Sequence, residues 1–194
     1  MGRGSHPTAC SLPGAYLIQP ATQGDYDGLC GLYCIINAIR LVMAPHRELK
    51  RNELRALFVA GVRFLQRRGS LPNAVHSCVR ERDWPKLATR IVSKAQRLTL
   101  RPIVLERPGL SDDEPIDETL RLIERMIISG KAPCVFLRGK SRHYSVVSGY
   151  TAISLRLFDS YGYRRVLRRS FGAAGATTSL HRFHMQSIMT LMAP

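Results

Sequence analysis

The stretch from Gln23 to Arg40, QGDYDGLCGLYCIINAIR, constrains this chain more than any other. A polar, glycine-bearing loop runs into an apolar helix whose first residue is Cys30. Leu32, Ile35, Ile36, Ile39 and Val42/Met43 recur at helical spacing, so the helix is expected to run from Cys30 to Met43, buried centrally and stopped by Pro45. Asn37 interrupts the apolar pattern and reads as a core amide satisfied by backbone. Peptide dipoles place partial positive charge at a helix N-terminus, and the free N–H groups of the first turn point at whatever sits there. A thiolate in that position is stabilised, and its pKa falls from the free value of about 8.5 toward neutrality. Gln23 upstream would supply a side-chain amide to the oxygen of a tetrahedral intermediate, with the backbone N–H of Cys30 as second donor.

A nucleophile of this kind needs a base and a group that orients the base. His143 opens His143-Tyr-Ser-Val-Val-Ser-Gly-Tyr150, an apolar, β-branched run that reads as a strand. A second strand, Ile153–Phe158, follows a short turn and delivers Asp159. If the two pair as a hairpin, Asp159 returns alongside His143. An aspartate accepting from one imidazole nitrogen fixes the tautomer and leaves the other nitrogen to take the thiol proton. Cys30, His143 and Asp159 are therefore the candidate catalytic residues, and Gln23 the candidate oxyanion-hole residue. Gly31, Arg142 and Tyr144, next to them in the chain, are candidate substrate contacts. Cys34, Cys78 and Cys134 read as packing and Cys10 as exposed. His46 and His76 lack an acid on a paired strand, and His181 with His184 lacks a third metal ligand. No metal or other cofactor is expected. Asp25 and Asp27 read as turn residues facing water.

The residues Gln23, Cys30-Gly31, His143-Tyr144, Val146, Val147, Gly149 and Asp159 resemble the motifs of papain-like cysteine peptidases, most of all the C39-like branch that removes double-glycine leaders from bacteriocins. There a glutamine precedes a Cys-Gly that opens a helix, and a His-(Tyr/Phe)-x-Val-Val-x-Gly strand is followed by an Asp-Pro turn. Gln23 lies one residue further from the cysteine than the family spacing, with Gln19 as a more distant substitute, and Ser160 stands at the family's proline. The resemblance implies an α+β fold of the papain-like class. It has an N-terminal helical half with the nucleophile on the central helix, and a C-terminal antiparallel sheet carrying His and Asp. It also implies a thiol hydrolase cleaving a peptide or isopeptide bond through an acyl-enzyme. The same triad serves acyl transfer and glutamine deamidation, and a basic binding module without catalysis is the rival reading.

The 194 residues suit one domain with a real core: an arm expected to be mobile over 1–13, then a single catalytic domain over 14–194. A formal charge of +15 reads either as a solvated basic surface or as favouring anionic partners, nucleic acid, an acidic protein face or an anionic membrane, in addition to a peptide or protein substrate with a glycine-ended or acidic tail. Arg47, Lys50, Arg51, Arg55, Arg63, Arg67 and Arg68 lie along the outer face of a second helix expected over 47–66. Arg138, Lys140 and Arg142, with Arg164, Arg165, Arg168 and Arg169, are expected to flank the active site. Five scattered cysteines without Cys-x-x-Cys spacing read as reduced thiols, and no apolar run is long enough for a signal core or a bilayer span. The expected location is the cytoplasm.

Between these landmarks the patterns place a short strand or extended segment over 15–18, helices over 73–80, 84–95 and 117–128, and strands over 99–105, 134–137, 164–168 and 180–191. Asp83 and Asp117 are the expected caps, with Gly130 as a stop.

Overall fold

The computed structural model describes residues 7–24, 27–139, 142–172 and 180–194. Five helices occur among them: α1 (Cys30–Met43), α2 (Arg51–Arg67), α3 (Leu71–His76), α4 (Trp84–Thr99) and α5 (Ile116–Ile128). The strands are β1 (Cys10–Ser11), β2 (Val104–Glu106), β3 (Ala132–Gly139), β4 (His143–Tyr150), β5 (Ser154–Phe158), β6 (Arg165–Leu167), β7 (His181–Phe183) and β8 (Met189–Met192). They form one sheet of order β2-β8-β3-β4-β5-β6, with β1 paired to β4 and β7 to β3, and these strand pairings are antiparallel. The fold is thus a mixed one of helices and an antiparallel sheet.

β4 is the middle of this arrangement, and every one of its residues is buried. Side chains alternate between faces along a strand, so both faces of β4 must be covered. Helices α1 and α5 both pack on β3 and β4, while α2 and α4 pack on each other and on α1. Tyr144 of β4 is held between the Trp84 and Phe136 rings, with centroids 4.2 and 4.3 Å away. Its hydroxyl donates to the Val79 carbonyl at 3.2 Å. Trp84 in turn donates from Nε1 to the Ser187 carbonyl at 2.9 Å, tying α4 to the segment before β8.

Several local expectations are corrected. The segment over 15–18 is not extended: Pro13–Tyr16 is a 3-10 turn, started by a proline whose fixed φ suits it. The arm expected over 1–13 is in part sheet, because Cys10 and Ser11 pair with Tyr150 and Gly149; residues 1–6 lie outside those described. Cys10 is accordingly half-buried rather than exposed. The strand expected over 180–191 is broken by a 3-10 turn at Met185–Ser187. Asp83 precedes α4 but makes no cap hydrogen bond, since its carboxylate accepts from Arg68 Nε at 2.6 Å. Asp117 lies inside the first turn of α5, with Pro115 at the cap position. Gly130 stops that helix as expected, at φ +77°.

Gly149 is where β1 comes closest to β4. A Cβ there would stand 2.6 Å from the Cys10 carbonyl oxygen and 2.4 Å from Ser11 Oγ. Gly149→Ala is therefore expected to cost about 1–3 kcal/mol through forced backbone shifts and to loosen β1. Thermal unfolding should show a lower midpoint, and Cys10 should react faster with a thiol reagent. Unchanged values for both would contradict this packing account.

Candidate active site

Helix α1 begins at Cys30 with no side-chain cap and no acidic residue in its first turn. Its first N–H groups therefore have neither an intrahelical acceptor nor a cap. The chain enters the helix through Asp27, whose carboxylate accepts from the N–H of Gly24 at 2.9 Å and of Leu29 at 3.1 Å. The N–H of Gly28 donates to the Val75 carbonyl at 2.6 Å, docking this entry loop on α3. Further back, Asn37 clamps the same segment to the helix. It accepts from Ala21 N–H at 2.7 Å and donates to the Ala21 carbonyl at 3.0 Å, so the amide inside α1 is satisfied by backbone as expected.

The β4–β5 pairing sets Val146 opposite Phe158. One step on, Asp159 falls alongside Ser145, and His143 is two residues away on the same face. His143 Nε2 lies 2.7 Å from Asp159 Oδ2, with both side chains almost wholly buried. Asp159 Oδ1 accepts the backbone N–H of Tyr161 at 2.8 Å and of Tyr163 at 3.2 Å, so the carboxylate is fixed from two sides. The second side-chain partner of the imidazole is Cys30. With Nε2 engaged by Asp159, Nδ1 is the nitrogen left for the neighbouring Cys30.

Burial opposes charge on His143, but the Asp159 carboxylate and Cys30 outweigh it and push the imidazole up to about 9. Burial likewise opposes charge on Asp159. Its hydrogen bond to His143 and the Tyr161 N–H prevail, and the carboxyl titrates below its ordinary range. Ser145 acts in the same direction, yet its buried hydroxyl makes no hydrogen bond of normal geometry, so we read its effect as that of a nearby dipole. The groups that raise the histidine are its two neighbours, Asp159 and Cys30. Of the cations expected to flank the site, Arg142 alone among the described residues lines its cleft. Arg138 pairs with Glu81 and Arg168 with Glu124, Arg164 and Arg165 line a separate cavity, and Lys140 lies outside the described residues.

Cys30 and His143 open onto a cleft of about 420 Å³ that Gln23, Asp27, Arg142 and Tyr161 also line. Gln23 is pinned at its rim by three contacts. Its backbone N–H donates to the Ser160 carbonyl at 3.0 Å, its Oε1 accepts from Ser160 Oγ at 3.1 Å, and its Nε2 donates to the Asp27 carbonyl at 3.2 Å. Gln19 lines the cavity on the far side of Asp159 instead. Asp27 borders the cleft rather than facing away from it, while Asp25 lies outside the described residues.

Two expected substrate contacts are corrected. Gly31 is buried, and a Cβ there would meet Val79 at 2.9 Å and Tyr144 at 3.3 Å, so it allows α1 to lie against β4. Tyr144 points into the core, because neighbours in a strand face opposite ways. Arg142 does line the cleft. Sequence reasoning passed over Tyr161 and Tyr163, which approach the His143 ring at 6.3 and 5.4 Å between centroids and leave roughly half of each ring exposed. The alternation of tyrosines just after Asp159 was the available signal. His76 also reaches the cleft, with Nδ1 3.2 Å from Ser77 Oγ. His184 is engaged by Glu81 at 3.2 Å, and no metal-binding group of three residues occurs among the described residues.

No protein-family model matches the chain, and no curated protein matches it. Among solved structures it is similar to the crystal structure of a Bacillus anthracis protein provisionally assigned as a C39-like peptidase, at 10% identity over 94% of this chain and 96% of that one, with a TM-score of 0.44.

The raised imidazole fixes the sign of a pH effect. The folded state holds its proton more tightly than the unfolded chain, whose histidine titrates near 6.5. The stability this adds is complete below that value and is lost as pH rises through about 9. The thermal midpoint should therefore fall across this window, and His143→Gln should flatten the fall. An identical slope in the variant would show that another group titrates.

Proposed function

We propose that this protein is a cysteine peptidase of papain-like architecture that cleaves an amide bond in a peptide or protein tail. The observation that carries the reading is the alignment of an uncapped helix-start thiol, Cys30, with an imidazole whose far nitrogen is 2.7 Å from a buried carboxylate. Such a set suits nucleophilic catalysis: base and nucleophile adjoin, and a third group orients the base. No cofactor enters the scheme.

In this mechanism the thiol proton is already held on His143 Nδ1 near neutral pH, as an imidazole raised to about 9 requires, and the Cys30 sulfur then attacks the scissile carbonyl carbon. The oxyanion is received by the Cys30 backbone N–H and by the N–H of Gln23 that Asp27 does not occupy. Collapse breaks the C–N bond, His143 returns the proton to the leaving amine, and the acyl group stays on Cys30. Water, activated by the same imidazole, then releases the acid. Asp159 holds the tautomer and favours the imidazolium, in keeping with a histidine raised to about 9. Arg142, Tyr161 and Tyr163 bound the substrate strand.

Selective alkylation tests this reading. Cys30 is 3% exposed, whereas Cys10 is half-buried, so a chain without activation should label Cys10 first. The expected result is that iodoacetamide near neutral pH modifies Cys30 first and that His143→Ala slows this reaction. Incubated with peptide probes ending in double-glycine or ubiquitin-like tails, the wild type should form a Cys30 adduct detectable by mass spectrometry. Removing the base should lower turnover of any cleaved probe by about 10²–10⁴-fold. Labelling of Cys10 ahead of Cys30, unaffected by His143→Ala, would refute the proposal.

A further inference from the structure

The strongest feature that the thiol chemistry leaves unused is a groove between α2 and α4, about 560 Å³ in volume. Arg63 and Arg67 stand on one wall, Arg90, Lys94 and Arg97 on the other, and Ala56, Val59 and Ala60 form the floor. None of the five cations makes an ion pair or side-chain hydrogen bond among the described residues, whereas many of the other cations do. Arg47 is engaged by Glu53, Arg68 by Asp83, Arg138 by Glu81 and Arg168 by Glu124. Like charges one helical turn apart destabilise a helix, and here Arg63/Arg67 and Arg90/Lys94 do so on two packed helices facing one groove.

We propose that this groove binds the phosphodiester backbone of a nucleic-acid duplex without reading its sequence. Arg90 to Arg97 spans about 10 Å along the helix, the axial length of about three phosphates on one strand. The small floor residues let a phosphate approach both walls. No aromatic side chain lines the groove, so the stacking that holds single strands is missing and a backbone contact remains. The surface is concave and offers no large apolar side chain for insertion, which disfavours a bilayer. Duplex DNA and duplex RNA present the same charge chemistry, and the two are compared directly below. The proposal is independent of the peptidase reading.

Fluorescence anisotropy of the full chain with short DNA and RNA duplexes of one sequence, titrated over salt, tests it. Five phosphate contacts predict a slope of log K against log salt near −4.5, a loss of about 500-fold between 50 and 200 mM. Arg90→Gln/Lys94→Gln should bring the slope to about −2.7, a loss of about 40-fold over the same range. Arg164→Gln/Arg165→Gln removes the same charge elsewhere and should leave the slope unchanged. Arg63→Gln, with a slope smaller by about 0.9, repeats the test on the other wall. Far-UV circular dichroism should be unaltered throughout, since glutamine suits surface helix positions and Arg164 and Arg165 are exposed at the edge strand β6. Stronger binding of one duplex type would identify the source of the backbone. A wild-type slope shallower than about −3 would overturn the proposal. So would equal losses in the two double variants, or tighter binding of a single strand or of anionic-lipid vesicles than of either duplex.

Discussion

Helix α1 can lie on β4 only because Gly31 presents a hydrogen where any larger group would strike Val79 and Tyr144. That close approach sets the geometry of everything around the site. It brings the start of the helix level with the start of β4, so that Cys30 meets His143, and the β4–β5 register then delivers Asp159 to the far side of the ring. Tyr144, wedged between Trp84 and Phe136, supplies the wall against which the helix rests. The meeting of Cys30, His143 and Asp159 thus follows from ordinary core packing, and the imidazole and carboxylate are both buried and bonded to each other.

The two elements bearing the thiol and the imidazole were legible to the residue. Cys30–Met43 and His143–Tyr150 have the bounds that periodicity and punctuation imply. What sequence adjacency could not convey was direction. Gly31 and Tyr144 neighbour the reacting groups in the chain yet turn into the core, while Tyr161 and Tyr163, further off, turn toward the ring. Asp83 has the composition of a cap, but the guanidinium of Arg68, just past the end of α2, competes for its carboxylate and wins. Pro13 reset the local backbone before the apolar residues at 15–18 could extend. The miss at Asp83 has a tertiary partner as its cause, whereas that at 15–18 is local.

The net charge of +15 has the same lesson in it. As a stripe on one helix it looked uniform, but the fold divides it. Arg47 and Arg68 are neutralised, Arg51 and Arg55 border an apolar hollow beside Tyr33 and Phe58, and Arg63 with Arg67 meets three cations of α4 that the linear pattern did not associate with them. Local concentration of charge depends on which helices pack, and that depends on α2 and α4 both resting on α1.

Gln23 is fastened to Ser160 through both its backbone and its side chain, across 137 positions of chain. During synthesis the sulfur-bearing helix emerges long before the residue that holds its entry loop. A nascent or prematurely terminated chain therefore has the helix without the clasp on its entry loop, which closes only when the last third has been made and joined to the first.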